Sequence, residues 1–290
     1  MLSKLNSLYP EHPTIGEMSD FAAAKLLNEL EDLHAPDPSA LDIWARAMPI
    51  YRSTSHVFGF IAAGSRGTVH PVDAGSINVN NALIGRQVNI SLDRLWVYDY
   101  PGKGEHNVLV QFSAEHQPTG GVPLETVTFS QKFRVIEKQG AGIIGYPVFR
   151  GLTVGQDGIQ FKIFTINVSN TSDQQALDFL NSSPISAGIK LLTTANPTIA
   201  PFTEMARGIT NMILTRHQNI PVQDIFMGLD FSNVPTHARL DIGSYVVVQV
   251  QDPAAWDWTQ VSFETANGQL VNATSRQSLP HNYFSFSVSH

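Results

Sequence analysis

Apolar and polar residues alternate with a period of two along much of the chain, and this alternation predicts β-strands. The clearest example is residues 126–136, where positions 127, 129, 133 and 135 are apolar and the intervening positions are polar. Residues 108–112 and 283–288 alternate in the same way. Strands of this kind bury one face and leave the other to solvent, as in antiparallel sheets. We therefore predict a mainly-β fold, an antiparallel β-sandwich.

Two of the predicted strands change phase part-way along their length. In residues 88–98 the apolar residues occupy even positions as far as Leu92 and odd positions from Leu95. In residues 159–168 they change from odd to even positions after Ile163. Because a slip of one residue exchanges the two faces of a strand, each site predicts a β-bulge or a strand that passes between two packed sheets.

Helical spacing replaces the strand pattern at the N-terminus. Ser19 is placed to cap a first helix, and Asp37 followed by Pro38 begins a second helix that ends at Pro49. The apolar positions expected to line the first helix are Phe21, Ala24, Leu27 and Leu30. We predict that residues 1–52 form an N-terminal helical arm.

A second helical region interrupts the strands at about residues 173–219. After Pro197, the residues Phe202, Met205 and Ile209 recur at spacings of three and four, which predicts a helix with a continuous apolar face. This face can pack on the chain's own sheet or on a partner, and the sequence does not distinguish these two uses. Because the strand pattern resumes later, residues 53–290 are predicted to form one β-sandwich domain with a helical insert at 173–219.

The charge composition disfavours several classes of partner. Charged residues make up 15% of the 290 residues, against a usual ~25%. The net charge is −7 with only 18 Lys and Arg, which argues against nucleic-acid binding because phosphate neutralisation needs clustered basic residues. Peripheral contact with anionic membranes is disfavoured for the same reason. A low-charge surface is typical of proteins covered by neighbours, and also of β proteins in general.

The residues that could carry catalysis or bind metal do not form a recognisable motif. The chain has no cysteine, which excludes disulfides, thiolate zinc sites and a cysteine nucleophile. Two carboxylate–imidazole pairs, Glu105-His106 and Glu115-His116, lie at the ends of one predicted strand, ~33 Å apart at the usual rise, and so cannot build one site. The sequence contains neither a GxSxG element nor a phosphate-binding loop. We expect no metal site, no cofactor and no catalytic residue.

The N-terminus lacks the features of a protein that is exported or inserted into a membrane. It has no apolar segment of signal-peptide length, and no window of the chain approaches the ~18 apolar residues of a transmembrane helix. We therefore expect no transmembrane segment and a protein that is cytoplasmic or associated with an assembly such as a virion.

Two tryptophans, Trp256 and Trp258, flank Asp257 shortly after Pro253. The two indoles could present a flat aromatic platform to a sugar, a peptide or a membrane interface. Alternatively, alternation would place both rings on one face, where they would pack over the edge of a sheet. Together with Phe202, Met205 and Ile209, these tryptophans are the residues that we expect to contact a ligand or partner.

The strand rhythm of residues 86–170 resembles that of C2-type β-sandwiches. The resemblance is carried by Leu95 to Pro101, Asn107 to Phe112, Phe129 to Val135 and Ile159 to Val168. Calcium-binding C2 domains have several Asp in two loops, whereas the matching loops here, 99–104 and 167–173, have one Asp each. The resemblance therefore implies a β-sandwich without a calcium site.

Three roles are consistent with these observations. The lack of a convergent catalytic set and the low-charge surface favour a non-catalytic interaction module that binds a protein partner or associates with itself. The alternative is a structural subunit of a virion, appendage or filament, with the N-terminal helices as an arm on a neighbouring subunit. The third is an enzyme acting on carbohydrate or peptide, with Trp256 and Trp258 as its platform.

Overall fold

A computed structural model of the chain describes residues 12–29, 49–102, 104–116, 125–169, 189–190, 199–214 and 219–290. Within these ranges the chain is mainly β, with two α-helices, α1 (Asp20–Glu29) and α2 (Ile199–Leu214). Short 3₁₀ turns occur at Ile50–Arg52, Asn81–Leu83, Pro253–Ala255 and Trp258–Gln260. In the part of the chain that is described, no helix has the length and apolar character needed to cross a membrane. The predicted second N-terminal helix and the first part of the predicted helical insert, residues 173–188, lie outside the described residues.

The strands fall into three sheets. In chain order they are β1 (Ser55–Ala62), β2 (Thr68–Val69), β3 (Val72–Asp73), β4 (Gln87–Val97), β5 (Glu105–His116), β6 (Glu125–Ile136), β7 (Gln139–Gly140), β8 (Tyr146–Thr153), β9 (Ile159–Asn167), β10 (Ile189–Lys190), β11 (Ile220–Asp230), β12 (Ala238–Arg239), β13 (Gly243–Val250), β14 (Val261–Glu264), β15 (Gln269–Asn272) and β16 (Tyr283–Ser289).

Among the described residues, the large sheet has the order β10-β8-β4-β16-β13-β1-β3, and β7 also pairs with β4. The second sheet has the order β12-β11-β9-β5-β6, and the small sheet has the order β15-β14-β2. The pairs β8–β10 and β11–β12 are parallel, and the long strands pair antiparallel.

A first hydrophobic cluster contains side chains from both the large sheet and the second sheet. Phe112 of β5 makes edge-to-face contacts with Phe284 and Phe286 of β16, at ring-centroid distances of 6.1 and 6.2 Å. Phe161 of β9 lies 5.9 Å from Phe286, and Tyr245 of β13 stacks on the same ring at 5.3 Å. Phe286 is therefore a point at which rings from four strands meet.

A second hydrophobic cluster contains side chains from the large sheet and the small sheet. Trp96 of β4 and Tyr283 of β16 stack at 5.8 Å with their planes 13° apart. Phe263 and Leu270 join them from the small sheet, and both are buried. One face of the large sheet thus contributes side chains to the first cluster, and the other face contributes side chains to the second.

The register of β4 explains the first phase change. Arg94 pairs with Ser285 and Leu92 pairs with Phe286, so Asp93 is an extra residue between them. Leu92 and Leu95 consequently both belong to the first cluster. The predicted β-bulge is confirmed here.

The second phase change has a different cause. The pairing of β9 with β5 is continuous through Ile163 and Phe164, and β9 is buried on both faces. The irregularity lies instead in its neighbour β11, where Val222 is the extra residue between Pro221 and Gln223. Neither predicted explanation therefore describes β9, because the strand has no bulge of its own and stays paired within the second sheet along its length. Its burial on both faces accounts for the phase change.

Strand β6 departs from the prediction that one of its faces is solvated. Thr128 and Ser130 point away from the first cluster, yet both are fully buried. Helix α2 contacts β6, and the Thr210 hydroxyl lies 3.3 Å from that of Ser130. The prediction of a solvated face is wrong at Thr128 and Ser130 and is confirmed at Arg134, whose side chain is exposed. Alternation along one strand does not indicate whether a distant helix covers part of its polar side.

The N-terminal segment packs against the sheets. Ser19 accepts a hydrogen bond from the Ala22 N–H at 3.2 Å, as expected for the residue that caps α1. The helix is buried through Ala23, whereas Phe21 is 81% exposed. The predicted apolar stripe is therefore wrong at Phe21. The Ile15 N–H donates to the Pro221 carbonyl at 2.9 Å, which joins this segment to β11.

His56 is half-buried and belongs to a polar network between β1 and β11. Its Nδ1 lies 3.1 Å from the Thr54 carbonyl and its Nε2 lies 3.5 Å from the Gln223 amide nitrogen. The Gln223 Oε1 accepts hydrogen bonds from the Tyr100 and Thr165 hydroxyls, each at 3.1 Å. Burial lowers the pKa of His56 to about 4, and the Thr54 carbonyl opposes this shift more weakly. The imidazole is therefore neutral at pH 7.

Acidification should destabilise the chain through His56. Its unfolded form takes up a proton near pH 6.5 and its folded form near pH 4, so the free energy of unfolding falls as the pH drops through this window, by at most about 3 kcal/mol. His56→Gln removes this contribution, and urea unfolding between pH 7 and about pH 4.5 should show a smaller loss of stability than in the wild type.

Other groups with shifted pKa values are present in both the wild type and His56→Gln, so their contributions to the pH dependence cancel when the two are compared. Burial also lowers the pKa of His116 to about 4, which acts in the same direction as His56. Burial raises the pKa of Asp93 and Asp99 to about 6, and these carboxyls favour the folded state as the pH falls. His290→Gln, at an exposed position, is the matched control. Equal pH dependence in the wild type and His56→Gln would contradict the expectation.

Candidate functional site

The two predicted tryptophans lie together in the segment between β13 and β14. Their ring centroids are 5.3 Å apart and the ring planes meet at 76°, so the indoles form an edge-to-face pair and no flat platform. Both side chains are half-buried against the second hydrophobic cluster. The arrangement corresponds to the packed alternative.

Two aspartates fix the backbone of this segment. Asp252 accepts a hydrogen bond from the Ala254 N–H at 2.9 Å and caps the 3₁₀ turn at Pro253–Ala255. Asp257 accepts hydrogen bonds from the Thr259 N–H at 2.9 Å and the Thr259 hydroxyl at 2.7 Å, and these bonds lower its pKa. Each tryptophan is thus placed beside a capped turn.

Trp258 lies directly over Gly59 of β1. A Cβ atom at Gly59 would be 2.6 Å from the indole of Trp258, far inside van der Waals contact. Gly59→Ala should therefore displace the ring and lower the free energy of unfolding by about 1–3 kcal/mol. Gly208→Ala is the matched control, since its Cβ meets no atom within 4 Å, and in the exposed helix interior it should stabilise by about 0.5–1 kcal/mol. Thermal unfolding measures both, and equal effects would contradict this placement of Trp258.

Trp256 forms part of the wall of a cleft of about 810 Å³. Its apolar walls come from four separate parts of the chain and include Ile50, Tyr51, Tyr98, Val250, Trp256 and Pro280. The described polar groups of the lining are Asp99, Gln251, Asp252 and His281. A concave, largely apolar surface with a few polar groups is typical of a ligand-binding site.

His281 contacts the indole of Trp256 within the cleft. The two rings meet edge to face at 5.1 Å. Burial lowers the pKa of His281, so the imidazole is neutral at pH 7. Among the described residues, neither the Trp256 Nε1–H nor the His281 Nδ1 has a hydrogen-bond partner, although both atoms are shielded from solvent. Pairing of the indole N–H with an acceptor on a bound group therefore requires the Trp256 ring to move.

Asp99 contributes a carboxyl group to the same cleft. Burial is the main reason that the pKa of Asp99 rises to about 6, with a further increase from Glu137. The Ile50 N–H and the Lys138 ammonium group act in the opposite direction. The carboxyl is therefore mostly ionised at pH 7 but loses its charge in mildly acidic solution.

A buried amide, Asn282, holds two walls of the cleft together. Its side-chain oxygen accepts hydrogen bonds from the Tyr98 N–H at 2.8 Å and the Asp99 N–H at 3.0 Å. Its amide group donates to the Asp99 carbonyl at 2.7 Å and to Gln249 Oε1 at 2.9 Å. Gln249 is also fully buried and donates to the carbonyl of Ser53. The segments at 51–53, 98–99 and 249–250 are thus tied through two amide side chains.

Of the predicted helix residues, Ile209 is the one whose side chain is described. Phe202 and Met205 are in α2, but their side chains lie outside the described residues. Ile209 is half-buried against the first cluster, whereas both tryptophans pack on the second. Ile209 and the two tryptophans therefore lie at different places on the molecule.

The two Glu-His pairs lie at opposite ends of β5, as predicted from their spacing. His106 at one end lies 3.6 Å from the Glu137 carboxylate, and Glu115 and His116 are buried at the other end. In the ranges that the structure covers, no three His, Asp or Glu side chains gather in a way that could hold a metal ion.

Comparison with known proteins gives no match: neither a protein-family model, nor a curated protein, nor a solved structure resembles the chain significantly. The C2 resemblance thus has no family match behind it. The cleft beside Trp256 combines apolar walls with carboxyl and imidazole groups, and this chemistry makes it the candidate binding site.

Proposed function

We propose that the chain is a non-catalytic binding module that holds a segment of a partner protein in the cleft beside Trp256. The observation that carries the proposal is a cleft of about 810 Å³ whose walls are already joined by hydrogen bonds of Asn282. A site that needs little reorganisation loses less conformational entropy on binding, and aromatic side chains in a concave site are effective contacts.

The described lining contains no Ser, Thr, Cys or Lys, so its acid–base and nucleophilic side chains include the Asp99 and Asp252 carboxyls and the His281 imidazole. The edge-to-face geometry of Trp256 and Trp258 argues against a sugar-stacking platform built from both indoles, since the two rings do not lie in one plane. The ring geometry weighs against an enzyme that uses the two tryptophans as its platform.

The packing of the N-terminal segment favours a self-contained module over a subunit that exchanges an arm. Ile15 and Ala23 lie in the same hydrophobic cluster as the chain's own strands. The guanidinium group of Arg52 binds Asp20 at 2.9 Å and the Met18 carbonyl at 3.0 Å. A segment held in this way is less available to a neighbouring subunit.

We further propose that the large and second sheets are the two layers of an antiparallel β-sandwich, and that residues 86–170 form a C2-like part of it. The contacts of Phe112 with Phe284 and Phe286 support this arrangement. The strands of residues 86–170 are divided between the two sheets, as a sandwich requires, with β4 and β8 in one and β5, β6 and β9 in the other.

Selection of peptides from a random display library tests the binding proposal. Peptides that enrich on the wild-type chain should bind Trp256→Ala at least about tenfold more weakly, because a central buried aromatic contact is worth at least about 1.4 kcal/mol. Phe21→Ala removes an exposed ring outside the cleft and should leave their binding unchanged. The proposal is wrong if no peptide enriches, or if the enriched peptides bind Trp256→Ala as tightly as the wild type.

A further inference from the structure

The cleft carries negative charge that no cation in its described lining balances. Asp99 and Asp252 are both lining residues, and the described lining contains no Lys or Arg. His281 is neutral at pH 7, because burial lowers its pKa. Two other charged groups act on Asp99 from the turn after β6, namely Glu137 and Lys138.

The aromatic walls complement these carboxylates. Tyr51, Tyr98 and Trp256 all line the cleft, and the negative face of an aromatic ring attracts a cation. The Tyr98 ring already attracts one cation of the chain, because the Lys138 ammonium group lies 5.7 Å from its centre. Carboxylates beside aromatic rings favour a cation that is weakly hydrated and planar.

The unpaired indole N–H of Trp256 adds a requirement of a different kind. This group can only donate a hydrogen bond, and it has no partner among the described residues. A peptide backbone carbonyl supplies the missing acceptor. A ligand that satisfies the whole cleft therefore combines a cation with a carbonyl oxygen, as a peptide segment with a basic side chain does.

We propose that the cleft recognises an arginine side chain on a segment of a partner protein. The guanidinium group binds the carboxylates of Asp99 and Asp252 between the aromatic walls, and a backbone carbonyl of the segment accepts from the Trp256 indole. Arginine suits this site better than lysine because its planar group stacks on aromatic rings and donates two hydrogen bonds to one carboxylate. This inference rests on the proposed function and specifies its ligand.

Arginine binding should depend on pH through Asp99. Ionisation of this carboxyl near pH 6 creates the attractive charge, so affinity should rise between about pH 5 and pH 7. Protonation of His281 at lower pH would weaken cation binding in the same direction. Asp252, Glu137 and Lys138 are the other charged groups at the site, and Asp99→Asn separates the effect of Asp99 from theirs.

A titration followed by NMR of the ¹⁵N-labelled chain tests the inference. The probes are acetyl-Gly-Arg-Gly-amide and the same peptide with citrulline, a neutral isostere of arginine. The arginine peptide should move the Trp256 indole N–H resonance at millimolar concentration and bind about tenfold more tightly than the citrulline peptide. Asp99→Asn and Asp252→Asn should each remove most of this difference.

Asp257→Asn is the matched control. Asp257 lies between the two tryptophans, is fully exposed and is no part of the described lining, and asparagine can keep the hydrogen bonds to Thr259. The variant should therefore bind the arginine peptide like the wild type. A loss as large as that of Asp99→Asn would mean that general surface charge attracts the peptide, and would overturn the inference.

The remaining outcomes separate this inference from the proposed function. Equal affinity of the arginine and citrulline peptides overturns the arginine site but leaves a cleft that binds peptides. No movement of the Trp256 indole resonance with the arginine peptide also overturns the arginine site. The proposed function fails as well only when the display library yields no peptide that depends on Trp256.

Discussion

Replacing Phe286 with alanine is expected to lower the free energy of unfolding by about 3–5 kcal/mol. The ring is fully buried and contacts Phe112, Phe161 and Tyr245 as well as Phe284. Since these neighbours belong to strands of two sheets, they cannot close the cavity without moving one sheet relative to the other. Denaturant-induced unfolding at neutral pH measures the loss.

Phe21→Ala is the matched control for this prediction. It deletes the same ring from a position that is 81% exposed, so its effect should stay within about 0.5 kcal/mol. Similar losses for Phe286→Ala and Phe21→Ala would contradict the position of Phe286 between the sheets, and with it the proposed sandwich.

Asn282→Ala should have the second largest effect and lower the free energy of unfolding by about 2–4 kcal/mol, because it leaves several buried polar groups unpaired. The groups left without their partner are the Tyr98 N–H, the Asp99 N–H, the Asp99 carbonyl and Gln249 Oε1. Water that enters the vacated space would offset part of this loss. The free energy of unfolding again provides the measure.

The same variant tests whether the cleft is held in place by Asn282. With the link between residues 98–99 and Gln249 removed, peptides selected on the wild type should bind more weakly even to the fraction that remains folded. Asn233→Ala, at an exposed position, should change neither stability nor binding. Unchanged peptide affinity in Asn282→Ala would show that the walls of the cleft do not need this amide.

Local patterns in the sequence are sufficient for β4, β5, β6, β9 and β16 and for one irregularity among them. The phase change near Asp93 predicts the bulge in β4, because the apolar set must reach the same cluster on both sides of it. The phase change after Ile163 does not produce a bulge in β9, since that strand is covered on both faces. Apolar positions in a strand show which residues are buried. They show which face packs on the core only when the other face is open to solvent.

Contacts between distant segments limit the prediction elsewhere. The burial of Thr128 and Ser130 depends on a helix about 80 residues later in the chain, and the exposure of Phe21 depends on which face of α1 meets the sheets. Neither is encoded in local spacing. A polar residue in a strand is predicted to be exposed to solvent unless the distant segment that covers it is known.

In the candidate site, too, local sequence patterns reveal some residues, and contacts between distant segments determine the rest. Trp256 and Trp258 stand out from the sequence because two tryptophans flank an aspartate. The cleft could not be predicted, because its walls come from residues near 50, 98, 250 and 280. Asn282 had no signal of its own in a chain rich in Asn, Gln, Ser and Thr, and only its four hydrogen bonds reveal its role.

The most direct test of the central claim is a chemical-shift map of the ¹⁵N-labelled chain with the tightest peptide from the display library. A peptide that occupies the cleft should give its largest shifts at the backbone amides of Asp99 and His281 and at the Trp256 indole N–H. The indole signal should move in the direction of a newly formed hydrogen bond. Largest shifts on α2 or on the second sheet, with the Trp256 indole unchanged, would contradict the claim that this cleft is where the chain binds its partner.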